Sequence, residues 1–287
     1  MTAPNVHGFF DHETFTVSYV VEDAATGRAA IIDPVLGYDP DSGRTNSKFA
    51  MRLIAFVRSK QLSIDWILET HVHADHLSAA PLLKATLGGQ TGIGAGVVEV
   101  QDTFRRIFNL DDVAPGGAQF DQLFADEECF PVGDLNCRVL HTPGHTPACV
   151  TYVIGDAAFV GDTLFMPDFG TARTDFPGGS AGELYDSIQR ILSLPGATRL
   201  FMCHDYKAEG RDEFAWETTV AEQASRNIHV GSGVTRDEFI ELRQSRDAGL
   251  AMPRLILPSL QVNIRAGELP AAEANGIRYL KTPLDVL

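Results

Sequence analysis

The sequence predicts an α/β protein with chemistry gathered along one sheet edge, and three observations lead there. Strand-like and helix-like runs alternate through most of the 287 residues. The helical runs carry their apolar residues on one face. Several strands stop at a histidine or an aspartate: Thr70 runs into His71, Leu140 into His141, Val160 through Gly161 into Asp162, and Cys203 into His204. Polar residues presented at shared sheet ends are where ligand sites tend to form.

Residues 15–21 (FTVSYVV) are β-branched and aromatic, and residues 22–28 close on Gly27 like a turn. Residues 29–33 (AAIID) read as a buried strand stopped by Pro34, so the pair is expected to open a sheet as a hairpin. The stretch 37–45 is read as a polar loop, with Pro40, Asp41 and Gly43 as turn formers. Ser47 is expected to cap a helix carrying Phe49, Leu53, Phe56 and Val57 at helical spacing. Residues 64–70 (IDWILET) form a short apolar strand, and helices follow over 78–87 and 97–108. The acidic stretch 111–128 is read as surface loop or edge hairpin. Strands are expected at 135–140, 150–154 and 157–160. Ser180, with Glu183 three residues on, opens a helix with Leu184, Ile188, Ile191 and Leu192 on one face. Residues 199–203 (RLFMC) are the last core strand. Beyond Gly231 a helix over 235–246 precedes text read as Pro-punctuated and partly extended.

No repeat, low-complexity tract or linker interrupts this order, so residues 1–230 are expected to form one catalytic domain. Residues 231–287 are then an extension packed on the same domain. The charges are lopsided: 23 Lys and Arg against 38 Asp and Glu give −15. A surface this acidic repels phosphate backbones and anionic bilayers, so neither nucleic acid nor a membrane is an expected partner. Residues 1–10 lack the basic and apolar regions of a signal peptide. Four cysteines in a chain this long make no disulfide framework. A cytoplasmic protein is the expectation.

The chemistry is concentrated in His71-Val72-His73-Ala74-Asp75-His76, four metal-ligating side chains in six residues. Imidazole and carboxylate at that density suit zinc or a first-row transition metal. In Thr142-Pro143-Gly144-His145 the proline and glycine make a tight turn that can aim His145. Taken alone, that turn, Gly161-Asp162 and Cys203-His204-Asp205-Tyr206 are each ambiguous. Their order is not. HxHxDH, then TPGHT, then GD, then a strand-terminal His resembles the metallo-β-lactamase superfamily over residues 15–206.

That resemblance implies a four-layer αβ/βα sandwich of two mixed β-sheets with helices outside and metals at one edge. By position, His71, His73 and His145 serve one metal site and Asp75, His76 and His204 another, with Asp162 between. Finer text is similar to the persulfide dioxygenase family: residues 31–36 (IIDPVL), 145–152 (HTPACVTY), 172–176 (ARTDF), 204–206 (HDY) and 258–267 (PSLQVNIRAG). Ala148 departs from the usual Gly, and the 37–45 loop is longer than in the family's shorter members.

Membership of that family implies one iron(II) per chain, held by His71, His145 and Asp162, with open positions for substrate and O₂. These three are then also the catalytic residues. The implied reaction oxidises glutathione persulfide with O₂ to sulfite and glutathione, as in sulfide catabolism, and a homodimer is implied. His73, Asp75, His76 and His204 become supporting residues or a vacant second metal site. Ligand types alone point instead to two zinc ions. Arg173 and Tyr206 are candidate substrate contacts, since an arginine can grip a glutathione carboxylate; an ion pair of Arg173 with Asp175 or Asp205 is the alternative. Cys149 is read as a small buried hydrophobe, His7, His12 and His229 as surface or structural, and His141 as no ligand. Two rivals remain: a dinuclear thioester hydrolase of the glyoxalase II type, and a non-catalytic metal-binding protein.

Overall fold

The computed structural model describes residues 3–286. In chain order the elements are β1 (Asn5–Phe10), β2 (Val17–Asp23), β3 (Arg28–Ile32), β4 (Val35–Asp39), β5 (Arg44–Asn46), α1 (Lys48–Ser59), β6 (Ser63–Leu68), β7 (Leu77–Ser78), α2 (Ala80–Leu87), β8 (Gln90–Gly94) and α3 (Val97–Ile107). There follow β9 (Gln122–Phe124), β10 (Cys129–Val132), β11 (Leu135–His141), β12 (Val150–Ile154), β13 (Ala157–Phe159), α4 (Ala181–Leu192), β14 (Arg199–Phe201), β15 (Glu217–Thr219), α5 (Val220–Arg226), α6 (Arg236–Asp247) and α7 (Ile256–Asn263).

Two six-stranded sheets carry the fold, in the orders β1-β2-β3-β6-β8-β9 and β10-β11-β12-β13-β14-β15. Both are mixed: β3, β6, β8 and β9 run parallel in the first, and β13 with β14 in the second. Strand alternation decides what each face buries. Val17, Tyr19 and Val21 of β2 and Ala30 and Ile32 of β3 meet Cys137, Val139, Tyr152 and Phe159 of the other sheet. The intervening Val20, Ala29 and Ile31 face α1 and α2. Ala158 and Leu200 face α4 on the opposite outside. The layers are therefore helix, sheet, sheet, helix, as the motif resemblance implied. No helix of the described residues is long and apolar enough to cross a membrane.

Several expectations need correction. Residues 37–45 are not a loop but the β4–β5 hairpin, because Asp39 accepts from Asp41 N and Ser42 Oγ and closes a tight turn between two pairing segments. Ser47 precedes α1 without capping it; the Asn46 carboxamide oxygen accepts from Lys48 N instead. Residues 111–128 supply no hairpin, but β9 closes the first sheet edge parallel to β8. The segment read as extended in the tail includes α7, because Pro258 falls in that helix's first turn, where no N–H is required. β1, β7, β8, β10, β15 and α5 lie outside the elements the sequence predicts. α5 nonetheless starts at a Thr219 cap that accepts from Glu222 N at 3.2 Å. At α4 the Ser180 hydroxyl accepts from Glu183 N, as its sequence predicts.

Candidate metal centre

β6 delivers Glu69, Thr70 and His71 to one end of the sandwich, and the chain then turns through His73, Asp75 and His76 into β7. Three further strand ends converge there: β11 through the 142–146 turn, β13 through Gly161, and β14 through Cys203 and His204. Gly161 takes φ +52° and its missing Cβ would stand 2.7 Å from Thr70 Oγ1, so the turn to Asp162 requires glycine. Gly144 takes φ +133° and lies against the backbone of Leu184 at the start of α4. Ser187 Oγ donates to the Pro143 carbonyl at 2.7 Å, and Ser180 N to the Gly144 carbonyl at 2.8 Å. Helix α4 thus clamps the turn that carries His145.

His71 Nε2 and His145 Nε2 lie 4.0 and 3.7 Å from Asp162 Oδ2. The other oxygen, Oδ1, is 3.4 Å from His204 Nε2, which is 3.5 Å from Asp75 Oδ2. Each ring is oriented by its second nitrogen. His145 Nδ1 donates to the Arg173 carbonyl (2.8 Å), and His71 Nδ1 to Thr70 Oγ1 (3.0 Å), whose own hydrogen goes to Asp33. His76 Nδ1 donates to Leu77 O, and His204 Nδ1 to Phe15 O. His73 Nε2 lies between Asp33 Oδ1 (3.0 Å) and Glu69 Oε2 (3.3 Å).

These bonds leave His71 Nε2, His73 Nδ1, His76 Nε2, His204 Nε2 and Asp162 Oδ1 buried without a hydrogen-bond partner. The four atoms other than His73 Nδ1 offer converging lone pairs that cannot satisfy one another without protons, but a cation satisfies them together. The donor set therefore fits a metal. His71, His145 and Asp162 form one compact group; His73, Asp75 and His76 form another, and His73, Cys203 and His204 a third. Burial lowers His71 well below the ordinary imidazole range, and lowers His76 to about 4 with help from the charge of His73. Neutral imidazoles are what coordination needs. His73 behaves oppositely: burial opposes its charge, but Asp33 and Glu69 outweigh that and raise it.

Sequence reasoning passed over the groups behind the ligands. Asp33 accepts from Thr70 N, Thr70 Oγ1 and His73, which ties β3 to the metal loop. Asn263 of α7 donates to the carbonyls of His73 and His76 and accepts from Ser78 N. The available signals were an aspartate ending an apolar strand and an asparagine inside the apolar PSLQVN run. Both residues are buried.

A cavity of about 440 Å³ opens over the centre. It is lined by the metal-ligating His145, Asp162 and Asp75, by Phe15, Phe165, Phe169, Phe176 and Tyr206, and by residues of α6 and of 250–255. Tyr206 is 40% exposed and stacks on His204 with centroids 5.4 Å apart. Of the two roles open to Arg173, the geometry shows the ion pair. Its Nε and Nη2 bind the two oxygens of Asp175 at 2.6 Å, and Nη1 donates to Ala251 O at 2.7 Å. Asp205 is paired with Arg211 instead. His229 is neither superficial nor remote: it is 3% exposed and lines the cavity. His7 pairs with Glu22 away from the centre, and His141 bonds Phe124 O. Cys149 is buried, with its thiol pushed up to about 12 by burial, and all four cysteines are free.

The chain belongs to the metallo-β-lactamase superfamily, whose family model matches residues 13–204. A probable metallo-hydrolase of Burkholderia pseudomallei is 54% identical over 98% of this chain and 99% of its own length. Glyoxylase B2 of Dictyostelium discoideum is 51% identical over 97% of this chain and 96% of its length. The human mitochondrial persulfide dioxygenase ETHE1 is 29% identical over 90% of this chain and 87% of its length. The chain spans 65% of the β-lactamase hydrolase-like protein of Xylella fastidiosa, at 54% identity over 99% of this chain. Among solved structures, ETHE1 from Myxococcus xanthus superposes with a TM-score of 0.73 and 30% identity, covering 92% of this chain and all of that one.

Proposed function

We propose that the protein is a mononuclear iron(II) persulfide dioxygenase. The balanced reaction is RSSH + O₂ + H₂O → RSH + sulfite + two protons, with glutathione persulfide as the substrate. The sulfane sulfur loses four electrons and dioxygen gains them. The observation that carries this reading is which ligands the cavity reaches. It touches His145 and Asp162 of the triad and only Asp75 of the second group, whereas His71, His73, His76 and His204 lie outside its lining. Reactants entering the cavity therefore meet two of the three residues of the His71–His145–Asp162 group, with Asp75 beside them. Three protein ligands leave positions open there, and iron(II), when bound, supplies the redox centre that persulfide and dioxygen share.

The chain's own groups do the rest. The Arg173 carbonyl and Thr70 hydroxyl hold the tautomers of His145 and His71, so both present Nε2 lone pairs. Phe165, Phe169 and Phe176 exclude water from the sulfur end of the substrate. The likeness to the two ETHE1 proteins supports the same reading.

The glyoxalase type of dinuclear hydrolase is favoured by one specific feature: Asp162 stands between the triad and His204, and the His73–Asp75–His76 group carries its own bare nitrogens. The likeness to glyoxylase B2 points the same way. Metal analysis combined with oxygen uptake separates the two. About one iron per chain and oxygen consumption with glutathione persulfide are expected. Two metals per chain, with thioester hydrolysis and no oxygen uptake by the iron-loaded protein, overturn the proposal.

A further inference from the structure

The cavity carries a second group of charged side chains besides the metal-ligating ones. In a chain of net charge −15, Arg173, Arg243, Arg246 and Arg254 all line this one space. Arg173 is neutralised by Asp175, and Arg243 by Asp247, with Nη2 at 2.8 Å. Among the described residues, Arg246 and Arg254 have neither a carboxylate within ion-pair distance nor a side-chain hydrogen bond. Arg254 lies near Asp39 of the β4–β5 hairpin, but that carboxylate is already held by Ser42 and Asp41. Arg246 is close enough to Arg243 and His229 for its charge to bear on both.

His229 adds an independent observation. Its Nδ1 accepts from Thr171 N at 3.0 Å, so Nδ1 carries no proton and Nε2 must carry the hydrogen of the neutral ring. That Nε2 is buried and has no partner. Beside it, Arg243 donates to Thr171 O and Asp247 and has no capacity to accept. Arg246 without a carboxylate partner and an unmatched His229 N–H line the same cavity beside the already paired Arg243, and an anion answers the first two. The same cavity is lined by His145, Asp162 and Asp75 and by aromatic rings.

We propose that Arg246, with the His229 Nε2–H and with Arg254 of the same cavity lining, forms a carboxylate subsite that selects thiol substrates bearing a carboxylate away from the reacting sulfur. The subsite rests on the reading of this cavity as the place where a thiol persulfide reaches the metal. Arg246 stands at the exposed last turn of α6, so its substitution spares the core.

The test titrates the metal-loaded protein with glutathione and with glutathione diethyl ester, whose carboxylates are masked. Wild type should bind the acid at least about tenfold more tightly than the ester, with the difference shrinking in high salt. Arg246→Gln should remove most of that difference by weakening the acid alone, and Arg246→Lys should restore part of it. Equal affinity for acid and ester, no binding of either, or equal weakening of both by Arg246→Gln overturns the subsite. Acid–ester discrimination in a protein that consumes no oxygen with glutathione persulfide keeps the subsite and rejects the dioxygenase reading.

Discussion

Each imidazole of the centre has one nitrogen committed to a fixed acceptor and one left bare, so the roles of single residues follow from where the bare atom lies. His71 and His145 turn theirs toward Asp162 Oδ2, while His204 turns toward Asp162 Oδ1 and Asp75. A mononuclear centre at the first group makes Asp162 a ligand and His204 a neighbour. Asp162→Ala should then leave the purified protein with less than about a tenth of the wild-type metal, since one of three ligands is gone. His204→Ala should retain roughly one metal per chain, with affinity reduced no more than the ~10–100-fold typical of residues behind the ligands. Metal content by elemental analysis decides it. Equal loss in both variants means that Asp162 bridges two ions. Arg173 shows the same separation of roles within one residue: its carbonyl orients His145, and its guanidinium ties Asp175 to the 250–255 segment.

At the scale of elements, the centre is held from outside by two helices. α4 backs the His145 turn through Gly144, Ser180 and Ser187, and α7 fastens the His73–His76 loop through Asn263. Gly144→Ala adds a Cβ in a backbone region that disfavours it and drives that Cβ into Leu184. It should cost about 2–3 kcal/mol and lower metal retention together with the melting temperature. Gly196→Ala is the matched control, because its Cβ would make only an ordinary 3.5 Å contact with Ala221 and φ there needs no glycine. A Gly144 variant that melts and binds metal like the control removes the clamp from the account. The α4 clamp was half legible in the sequence: the Ser180–Glu183 pattern and the apolar stripe marked the helix, but nothing local says that it packs on the TPGH turn. Ligands were legible because their spacing is dense and ordered. Asp33 and Asn263 were not, since each acts across the fold, on residues 37 to 190 positions away. The β4–β5 hairpin was hidden for a different reason. Its turn formers were visible, but β5 is only three polar residues, and β4 shows itself as a strand only through its pairing with β5 and β7.

For the molecule as a whole, a net charge of −15 coexists with a cavity lined by Arg173, Arg243, Arg246 and Arg254. The same lining shapes stability against acid. Burial, assisted by the charges of Arg243 and Arg246, lowers His229 from its ordinary 6.5 to about 4 in the folded protein. The unfolded chain takes up this proton near pH 6.5, and the folded one resists until about pH 4. Between those values the unfolded state binds more protons, so stability rises with pH and is lost as pH falls through the window. Carboxylates such as Asp121, lowered by Lys84 and Thr91 despite partial burial, act lower still, and their contribution disappears only as pH falls below the ordinary 3.8. Protonation of metal ligands also weakens the protein in acid, so the His229 share must be isolated by difference. His229→Asn keeps an acceptor for Thr171 N and removes the titrating ring. Melting temperature measured from pH 7 to pH 4 should fall more steeply for wild type than for His229→Asn, with the two curves converging from about pH 6.5 downward. Parallel curves across that range would mean that the buried ring takes no part in the acid response.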